Sequence, residues 1–441
     1  MIDIDILAGK TIRFVTLGCK LNFAESSSIV SQLRFWGVVD ANEGEPADIC
    51  LVNTCSVTEV ADSKGRQAIK KIIRQNPNAL IVVTGCYAQL KHQEISKIQG
   101  VDIVVGAEHK NMVVTLILQA IAGKLKSTNY EICDDNKEQS FFPSCSHGDR
   151  TRYFLKVQDG CDYFCSYCTI PYARGRSRNG SVASLVEQAK KVVEEGGLEI
   201  VITGVNTGDF GKSTNESFIQ LIKELNKVDG IKRYRISSIE PNLLTEEIIQ
   251  FCAESDKFMP HFHVPLQSGS DEVLKLMKRR YNTLSFENKL AMIKKYIPDA
   301  FIGVDVMVGC RGENQEYFED AYNFIEKQPI SKLHVFSYSE RPGTEALKIP
   351  FVVKPEEKHE RSKRLLRLSD RKTEEFYSNY CGMIRPVLFE HASNNKYMYG
   401  FTDNYIRVQV KANPTLFNTI QNVKLKGLNT NANAMKGEIV L

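Results

Sequence analysis

The run Cys161-Asp-Tyr-Phe-Cys165-Ser-Tyr-Cys168 places three thiols in one short CxxxCxxC loop. It directly follows residues 153–157, an apolar run typical of a strand. Thiolates spaced in this way can hold an iron–sulfur cluster of four irons, and three thiolates leave one iron open for another ligand. An incomplete structural zinc site and a chance grouping of cysteines are the alternatives. No second cysteine pair or histidine pair at zinc spacing follows the loop, which disfavours zinc.

Outward from this loop, residues 151–380 alternate between strand-like runs and helical periodicity. Strands are predicted at 153–157, 199–203, 233–237, 261–265, 301–308 and 332–338. Six such units predict a partial (β/α)6 barrel, whose chemistry belongs at the carboxyl ends of its strands. The cysteine loop lies at such an end.

The first ~125 residues also show a βαβα pattern, which predicts a doubly wound parallel sheet covered by helices. Its strands are predicted at 11–17, 48–53, 79–84 and 101–105. Cys19, Cys55 and Cys86 each follow a strand within three residues and precede a helix. The carboxyl ends of parallel strands meet at one edge, so three distant thiols are expected to converge there and to match a second cluster with an open iron. The alternative is that they are ordinary buried cysteines, as is expected of Cys50 inside a strand.

Composition is that of an ordinary folded protein of about three domains, with 441 residues, 42% hydrophobic and 25% charged. No apolar run approaches the ~20 residues that span a bilayer, and acids stand where a signal peptide would carry lysines. We therefore expect a cytoplasmic protein without membrane association. In that reducing compartment the twelve cysteines favour metal or redox roles over disulfides.

The C-terminal region is basic, with seven Lys or Arg against three Asp or Glu from residue 384 onward, while the rest of the chain is balanced. Short β runs at 387–390, 397–402, 405–410, 423–425 and 438–441 predict a small antiparallel barrel, a fold that often binds oligonucleotides. Tyr405 and Arg407 stand among its candidate contacts for RNA. The alternative is that such aromatic residues belong to the core and the basic residues to a solvated face.

The 161–168 loop resembles the signature of the radical S-adenosylmethionine (radical SAM) enzymes. Three further segments resemble the methylthiotransferases of that superfamily, and the resemblance extends over essentially the whole chain. These segments are Thr16-Leu-Gly-Cys-Lys20, Asn53-Thr-Cys-Ser-Val-Thr58 and Gly85-Cys-Tyr-Ala-Gln89. The resemblance implies S-adenosylmethionine and two 4Fe–4S clusters, one on Cys19, Cys55 and Cys86 and the other on Cys161, Cys165 and Cys168. It also implies a methylthiotransferase domain (1–125), a linker (126–149), a radical SAM barrel (150–380) and an RNA-binding TRAM-like domain (381–441).

Further site residues follow from the same resemblance. The expected contacts with S-adenosylmethionine are Ile170, Tyr172, Asn206, Glu240, Gln267 and Gly303. One departure is Cys310-Arg311-Gly312-Glu313, which replaces the Phe-Pro-Gly-Glu common in the family. It is expected to alter a turn without adding a ligand.

Within the family, residues 170–178, 277–281 and 53–58 look most like the threonylcarbamoyladenosine branch. This implies sulfur insertion at C2 of N6-threonylcarbamoyladenosine at tRNA position 37, methylation by a second S-adenosylmethionine, an external electron donor and a sulfur source. Guanidiniums that could pair with the threonyl carboxylate or with phosphates belong to Arg174, Arg176, Arg178, Arg279 and Arg280. Methylthiolation of isopentenyl-adenosine or of a ribosomal-protein aspartate stays open. So does a non-catalytic RNA-binding iron–sulfur redox sensor, although polar residues after every barrel strand favour the enzyme.

Overall fold

The computed structural model describes residues 4–125, 130–133, 140–147, 151–391 and 396–440. Across these residues there is no helix with the length and apolar character needed to cross a membrane. The described chain forms a parallel sheet, a partial barrel and a closed small barrel in that order.

The N-terminal sheet is parallel and has the order β2-β1-β3-β4-β5-β6. Its strands are β1 (Thr11–Thr16), β2 (Val39–Asp40), β3 (Ile49–Thr54), β4 (Leu80–Gly85), β5 (Ile103–Gly106) and β6 (Tyr130–Ile132). Its helices are α1 (Lys20–Phe35), α2 (Glu59–Gln75), α3 (Cys86–Leu90), α4 (His92–Ile95) and α5 (Val113–Ile121). Helices α1 and α5 pack on one face and α2 on the other, which confirms the doubly wound prediction.

The four predicted strands are present, and two short strands at the sheet edges were not predicted. All six residues of β3 are buried, as expected for a central strand covered on both faces. Strand β1 lies between β2 and β3, so the order of the strands reverses there. Ligands of such sheets bind at the carboxyl side of this switch point.

The central region contains the six predicted parallel strands. They are β8 (Arg152–Lys156), β11 (Glu199–Thr203), β12 (Arg233–Ile236), β13 (His261–His263), β14 (Phe301–Val308) and β15 (Lys332–Ser337). Two hydrogen-bonded groups, β12-β11-β8-β7 and β13-β14-β15, are joined by single bridges between Tyr234 and Phe258 and between Ser238 and His263. Residues of one strand face pack with the outer helices into the largest apolar core. The alternate residues point into the barrel.

The helices and minor strands of this region complete its outer layer. The helices are α6 (Ile170–Arg174), α7 (Val182–Glu194), α8 (Phe218–Asn226), α9 (Glu246–Glu254), α10 (Asp271–Leu276), α11 (Thr283–Tyr296), α12 (Gln315–Lys327) and α13 (Pro355–Ser378). The minor strands are β7 (Ser144–Cys145), β9 (Gln158–Asp159) and β10 (Arg178–Asn179). Within the predicted linker 126–149, β6 extends the first sheet and β7 pairs with β8, so this segment contributes a strand to each neighbouring sheet. Residues 126–129, 134–139 and 148–150 lie outside the described residues.

The C-terminal strands close into a barrel in the order β16-β17-β18-β20-β19. They are β16 (Ile384–Phe389), β17 (Tyr397–Thr402), β18 (Arg407–Lys411), β19 (Ile420–Asn429) and β20 (Ala434–Ile439). Four of the strand pairs are antiparallel, as predicted, and the pair β18 and β20 is parallel. A closed ring with an odd number of strands cannot alternate direction throughout, so one parallel pair is required.

Candidate active site

Cys19, Cys55 and Cys86 converge at the carboxyl edge of the N-terminal sheet. Cys19 precedes α1, Cys86 begins α3, and Cys55 directly follows β3. A Cβ atom added to Gly18 would lie 2.6 Å from the Cβ atom of Cys55, so the loop that carries Cys19 packs directly against Cys55. Gly18 has a φ of 101°, which favours glycine. The sheet therefore brings together the three thiols that the sequence separates.

The surroundings of this first thiol group suit metal coordination. Burial and the neighbouring Cys86 raise the pKa of Cys55 to about 12. Burial also raises the pKa of Cys86, while Arg174 and Lys110 act to lower it. Thiolates at these positions therefore need a cation in contact with them, which an iron cluster supplies. The thiols fit such a cluster.

The second thiol group lies in the loop after β8 and β9, as predicted. Its backbone is held by a hydrogen bond from the Cys168 N–H to the Cys165 carbonyl, 3.0 Å, and one from the Cys161 N–H to the Gly175 carbonyl, 3.1 Å. Burial raises the pKa of Cys161 and of Cys168 to about 12. As at the first group, a bound metal would stabilise the thiolates.

Two donors point at the sulfur atoms of this loop. The Arg279 guanidinium lies 3.1 Å from the Cys165 Sγ, and the Ile170 N–H lies 3.5 Å from the Cys168 Sγ. Arg279 also pairs with the Glu240 carboxylate and donates to the Tyr281 hydroxyl, 3.0 Å. Donors to cysteine sulfur are a means of tuning cluster potentials. Arg279 was expected to contact substrate. Its side chain is only 3% exposed and is already paired with Glu240, so in this structure it faces the cysteine loop and not the solvent.

A buried ionic network joins the two thiol groups. Helix α3, which begins at Cys86, packs against α6, which follows Cys168. From α6, the Arg174 guanidinium reaches Glu25 at 2.9 Å, Asp159 at 2.8 Å and the Asn22 amide oxygen at 2.6 Å. The network also contains Lys110, Lys156 and Arg178. Four basic side chains thus face two carboxylates, which leaves an excess of positive charge. An anionic cluster bound at the adjacent Cys86 would balance that charge.

Three of the residues expected to contact S-adenosylmethionine, Asn206, Glu240 and Gln267, follow strands of the central barrel, whereas Gly303 lies within β14 and the other two belong to α6. Asn206 is 3% exposed, and neither atom of its side-chain amide has a hydrogen-bond partner among the described residues. An unpartnered buried amide at this edge fits a polar ligand. Burial raises the pKa of Glu240, and Arg279 opposes that shift.

The other four expected contacts differ in exposure. Gln267 is half-buried with a φ of 68°, and a Cβ atom on Gly303 would lie 3.5 Å from the His334 ring. Ile170 is half-buried, whereas Tyr172 is exposed and packs edge-on against Phe164. Near this edge, Cys310 packs in a small apolar group and Glu313 accepts from the Gly309 N–H at 3.0 Å, consistent with a structural turn.

The arginines expected to contact substrate occupy two different environments. Arg174 and Arg178 are buried in the ionic network, so their guanidiniums already have carboxylate partners. Arg176 and Arg280 are exposed beside the cysteine loop. Their guanidiniums lie 4.6 Å from the Phe164 ring and 4.0 Å from the Tyr163 ring. Only this exposed pair is placed to meet a large polyanion.

Tyr405 lies between the small barrel and the central barrel. Its ring is 4.1 Å from the His261 ring and 4.8 Å from the Phe401 ring, and its hydroxyl accepts from Arg152 at 3.2 Å. The expected RNA contact is thus half-buried and packs between the two barrels. Arg407 stacks on Tyr399 at 4.1 Å and donates to the Ala432 carbonyl at 3.0 Å.

Sequence reasoning missed the charged interior of the central barrel. Glu25, Lys156 and Asp159 are fully buried, and His263 pairs with Asp305 at 2.7 Å. Charged residues at alternate positions of the predicted strands could have indicated this interior, since residues two apart in a strand face the same side of the sheet. Glu25 carried a similar signal, because it is an acid within a helix that otherwise buries small and apolar residues.

Comparisons with known proteins agree with this architecture. The model of the uncharacterized protein family UPF0004 matches residues 11–106, and that of the radical SAM superfamily matches residues 155–325. A threonylcarbamoyladenosine tRNA methylthiotransferase MtaB of Bacillus subtilis (strain 168) is 39% identical over 430 residues, covering 94% of this chain and 93% of that protein. Its counterpart in Aquifex aeolicus (strain VF5) is 35% identical, covering 90% and 96%.

A more distant relative and a solved structure extend the comparison. A tRNA-2-methylthio-N(6)-dimethylallyladenosine synthase of Syntrophotalea carbinolica is 30% identical, covering 94% of this chain and 97% of that protein. The radical S-adenosylmethionine methyltransferase TsrM of Kitasatospora setae shares the fold with a TM-score of 0.55 and 14% identity, covering 75% of this chain and 72% of that one.

Proposed function

This chain belongs to the methylthiotransferase family of radical SAM enzymes, and from that premise we propose that it converts N6-threonylcarbamoyladenosine at tRNA position 37 to its 2-methylthio derivative. The observation that carries the proposal is the presence of two groups of three thiols, next to helices α3 and α6 that pack together, in a chain with whole-length similarity to relatives named for this reaction. A cytoplasmic location is part of the proposal.

The enzyme holds an iron–sulfur cluster and uses S-adenosylmethionine. We propose two 4Fe–4S clusters, on Cys19, Cys55 and Cys86 and on Cys161, Cys165 and Cys168. When bound, these groups supply radical formation, sulfur and a methyl group, given an external electron donor and a sulfur source. Asn206 and Glu240 would hold polar parts of S-adenosylmethionine, with Ile170, Tyr172, Gln267 and Gly303 around it. Packing of α3 on α6 joins the element that begins at Cys86 to the element that follows Cys168.

The tRNA would approach from the side of the exposed Arg176 and Arg280. These guanidiniums can pair with phosphates, while the small C-terminal barrel supplies a further basic surface that includes Arg407. Phosphate contacts position the RNA without reading its sequence. The TRAM-like assignment of this barrel is supported by its closed five-strand form.

The proposed function is tested by mass spectrometry of tRNA nucleosides from a strain lacking this protein, with and without its restoration. We expect the methylthio form of threonylcarbamoyladenosine to disappear and to return, while the isopentenyl series is unchanged. A change confined to the isopentenyl series would assign the chain to the other tRNA branch. If neither series changes, a protein substrate or a sensor role replaces the proposal.

Replacing Arg279 by Gln is expected to make the reduction potential of the barrel cluster more negative. The donor to Cys165 stabilises the extra electron of the reduced state, and a loss of about 1.4 kcal/mol corresponds to about 59 mV for one electron. The potential is measured by a redox titration followed by electron paramagnetic resonance, in a Cys55→Ala background that retains only this cluster. Arg280→Gln is the matched control, because Arg280 donates to a backbone carbonyl and contacts no cysteine sulfur in the described structure. Equal potentials in both variants would contradict the role of Arg279.

A further inference from the structure

Lys20 directly follows Cys19, and its ammonium group has no hydrogen bond or ion pair within the described chain. The buried lysines nearby behave differently. Lys110 and Lys156 both pair with the carboxylate of Glu25, the latter at 2.7 Å. Lys20 is half-buried, and a cation partly removed from bulk water without a counter-charge costs free energy.

The Lys20 side chain faces the interior of the central barrel. One turn further along α1, Phe23 and Ala24 pack against Phe154 and Val201, which belong to β8 and β11. Residues three and four apart share one face of a helix, so Lys20 lies on the face of α1 that is turned towards the barrel. It therefore stands between the first thiol group and the barrel strands.

The charged groups around Lys20 include no carboxylate that forms a direct ion pair with it in the described chain. The groups that interact with it most strongly are Tyr405, Arg152, Asp305 and Cys19. His261 and His334 also lie near enough to interact with its charge. Asp305 is the one carboxylate in this set, and it already accepts from the His263 ring at 2.7 Å. Arg152 adds positive charge and pairs with Glu390 at 2.8 Å. The His334 ring lies beside the His263 ring, with centroids 5.0 Å apart and an angle of 45° between the ring planes. This side of the barrel interior therefore favours an anionic ligand.

We propose that Lys20 binds the carboxylate of the threonyl group and thereby selects the carboxylate-bearing nucleoside over a neutral one. The inference rests on the proposed function, because of the two tRNA nucleosides considered only threonylcarbamoyladenosine carries a carboxylate. A neutral isopentenyl group would leave the ammonium unpaired. Two of the arginines first considered for this contact, Arg174 and Arg178, are already bound to Asp159. Arg279 pairs with Glu240. Arg176 and Arg280 are exposed beside the cysteine loop. Lys20, by contrast, lies on the barrel-facing side of α1 and has no ion-pair partner among the described residues.

The test compares two anticodon stem–loop RNAs. One carries threonylcarbamoyladenosine, and the other carries its neutral threoninamide analogue. Dissociation constants are measured by fluorescence anisotropy with the cluster-loaded enzyme, so that no turnover is required. The wild-type enzyme should bind the carboxylate RNA roughly ten- to a hundred-fold more tightly. Lys20→Met should bind both RNAs equally, and Lys20→Arg should retain the preference. Lys71→Met, at an exposed position of α2, is the control and should match wild type.

The outcomes separate the inference from the function on which it rests. If Lys20→Met keeps the full preference, Lys20 does not bind the carboxylate. If wild type shows no preference but acts on isopentenyl-adenosine RNA, the proposed function fails instead. Iron content is measured for each variant because Lys20 adjoins Cys19. Should Lys20→Met lose iron, Lys20→Gln and Lys20→Arg are compared. A preference for the carboxylate RNA in Lys20→Arg but not in Lys20→Gln supports the inference. An equal preference in these two variants overturns it.

Discussion

Cys161→Ala is expected to abolish both the methylthio nucleoside and the release of 5′-deoxyadenosine from S-adenosylmethionine. Removing one of three thiolates leaves the loop without the ligands that hold the cluster in place, and no other cysteine of the described loop can substitute. The loss should be complete within detection, because no side-chain acid or base can replace a radical at an aromatic C–H bond. Product formation is measured by mass spectrometry, and bound iron by a colorimetric assay.

Two further variants show which thiol group does what. Cys55→Ala should also abolish the methylthio product, but it should retain the release of 5′-deoxyadenosine because the barrel thiols are intact. Cys252→Ala is the matched control. Cys252 is a buried cysteine of α9 within the main apolar core, so its variant should keep its iron and both activities. A Cys161→Ala enzyme that still forms product would rule out the proposed cluster, and one that retains only an RNA-dependent role would favour the sensor.

Glu25→Ala is expected to lower the free energy of unfolding by about 3–5 kcal/mol, the usual cost of removing one partner from a buried charge network. The Glu25 side chain is fully buried and accepts from Lys156 at 2.7 Å and from Arg174 at 2.9 Å. Its loss leaves those cations without their shared carboxylate. Unfolding is followed in urea by circular dichroism.

A surface ion pair provides the control for this prediction. Glu187 lies 2.6 Å from Lys190, and both side chains are mostly exposed. Glu187→Ala should change stability by less than about 1 kcal/mol, because exposed pairs contribute little. Equal effects of Glu25→Ala and Glu187→Ala would show that the buried network does not hold the domains together.

The Glu25 network also predicts a pH dependence. Three neighbouring cations, of which Arg174 is the strongest, hold the pKa of Glu25 well below its usual value, against the opposing effect of burial. A carboxyl whose pKa is lower in the folded state stabilises the fold above its unfolded pKa, about 4.3. That contribution is lost as the pH falls towards the folded pKa. The stability difference between wild type and Glu25→Gln should thus be largest at neutral pH and shrink below about pH 4. A difference that grows in acid would contradict this account.

The sequence alone was sufficient for the order of the elements and the placement of the six cysteines. Apolar periodicity is local, so the strands of both parallel sheets could be predicted within a few residues. The topology of parallel strands then required Cys19, Cys55 and Cys86 to meet at one edge, although they are far apart in the chain. A closed barrel with an odd number of strands needs at least one parallel pair, so the number of strands would also have predicted the parallel pair in the five-stranded barrel.

The roles of the charged and aromatic side chains were decided only by the tertiary structure. In the sequence, Arg174 and Tyr405 look like candidates for binding a ligand. In the structure, Arg174 forms ion pairs with Glu25 and Asp159. Tyr405 packs against His261 and accepts a hydrogen bond from Arg152. Lys20 has no distinguishing pattern, and its charge becomes informative only where α1 meets the barrel. The physical reason is range: periodicity is set by neighbours in the chain, whereas the partner of a buried charge is set by which elements meet in space.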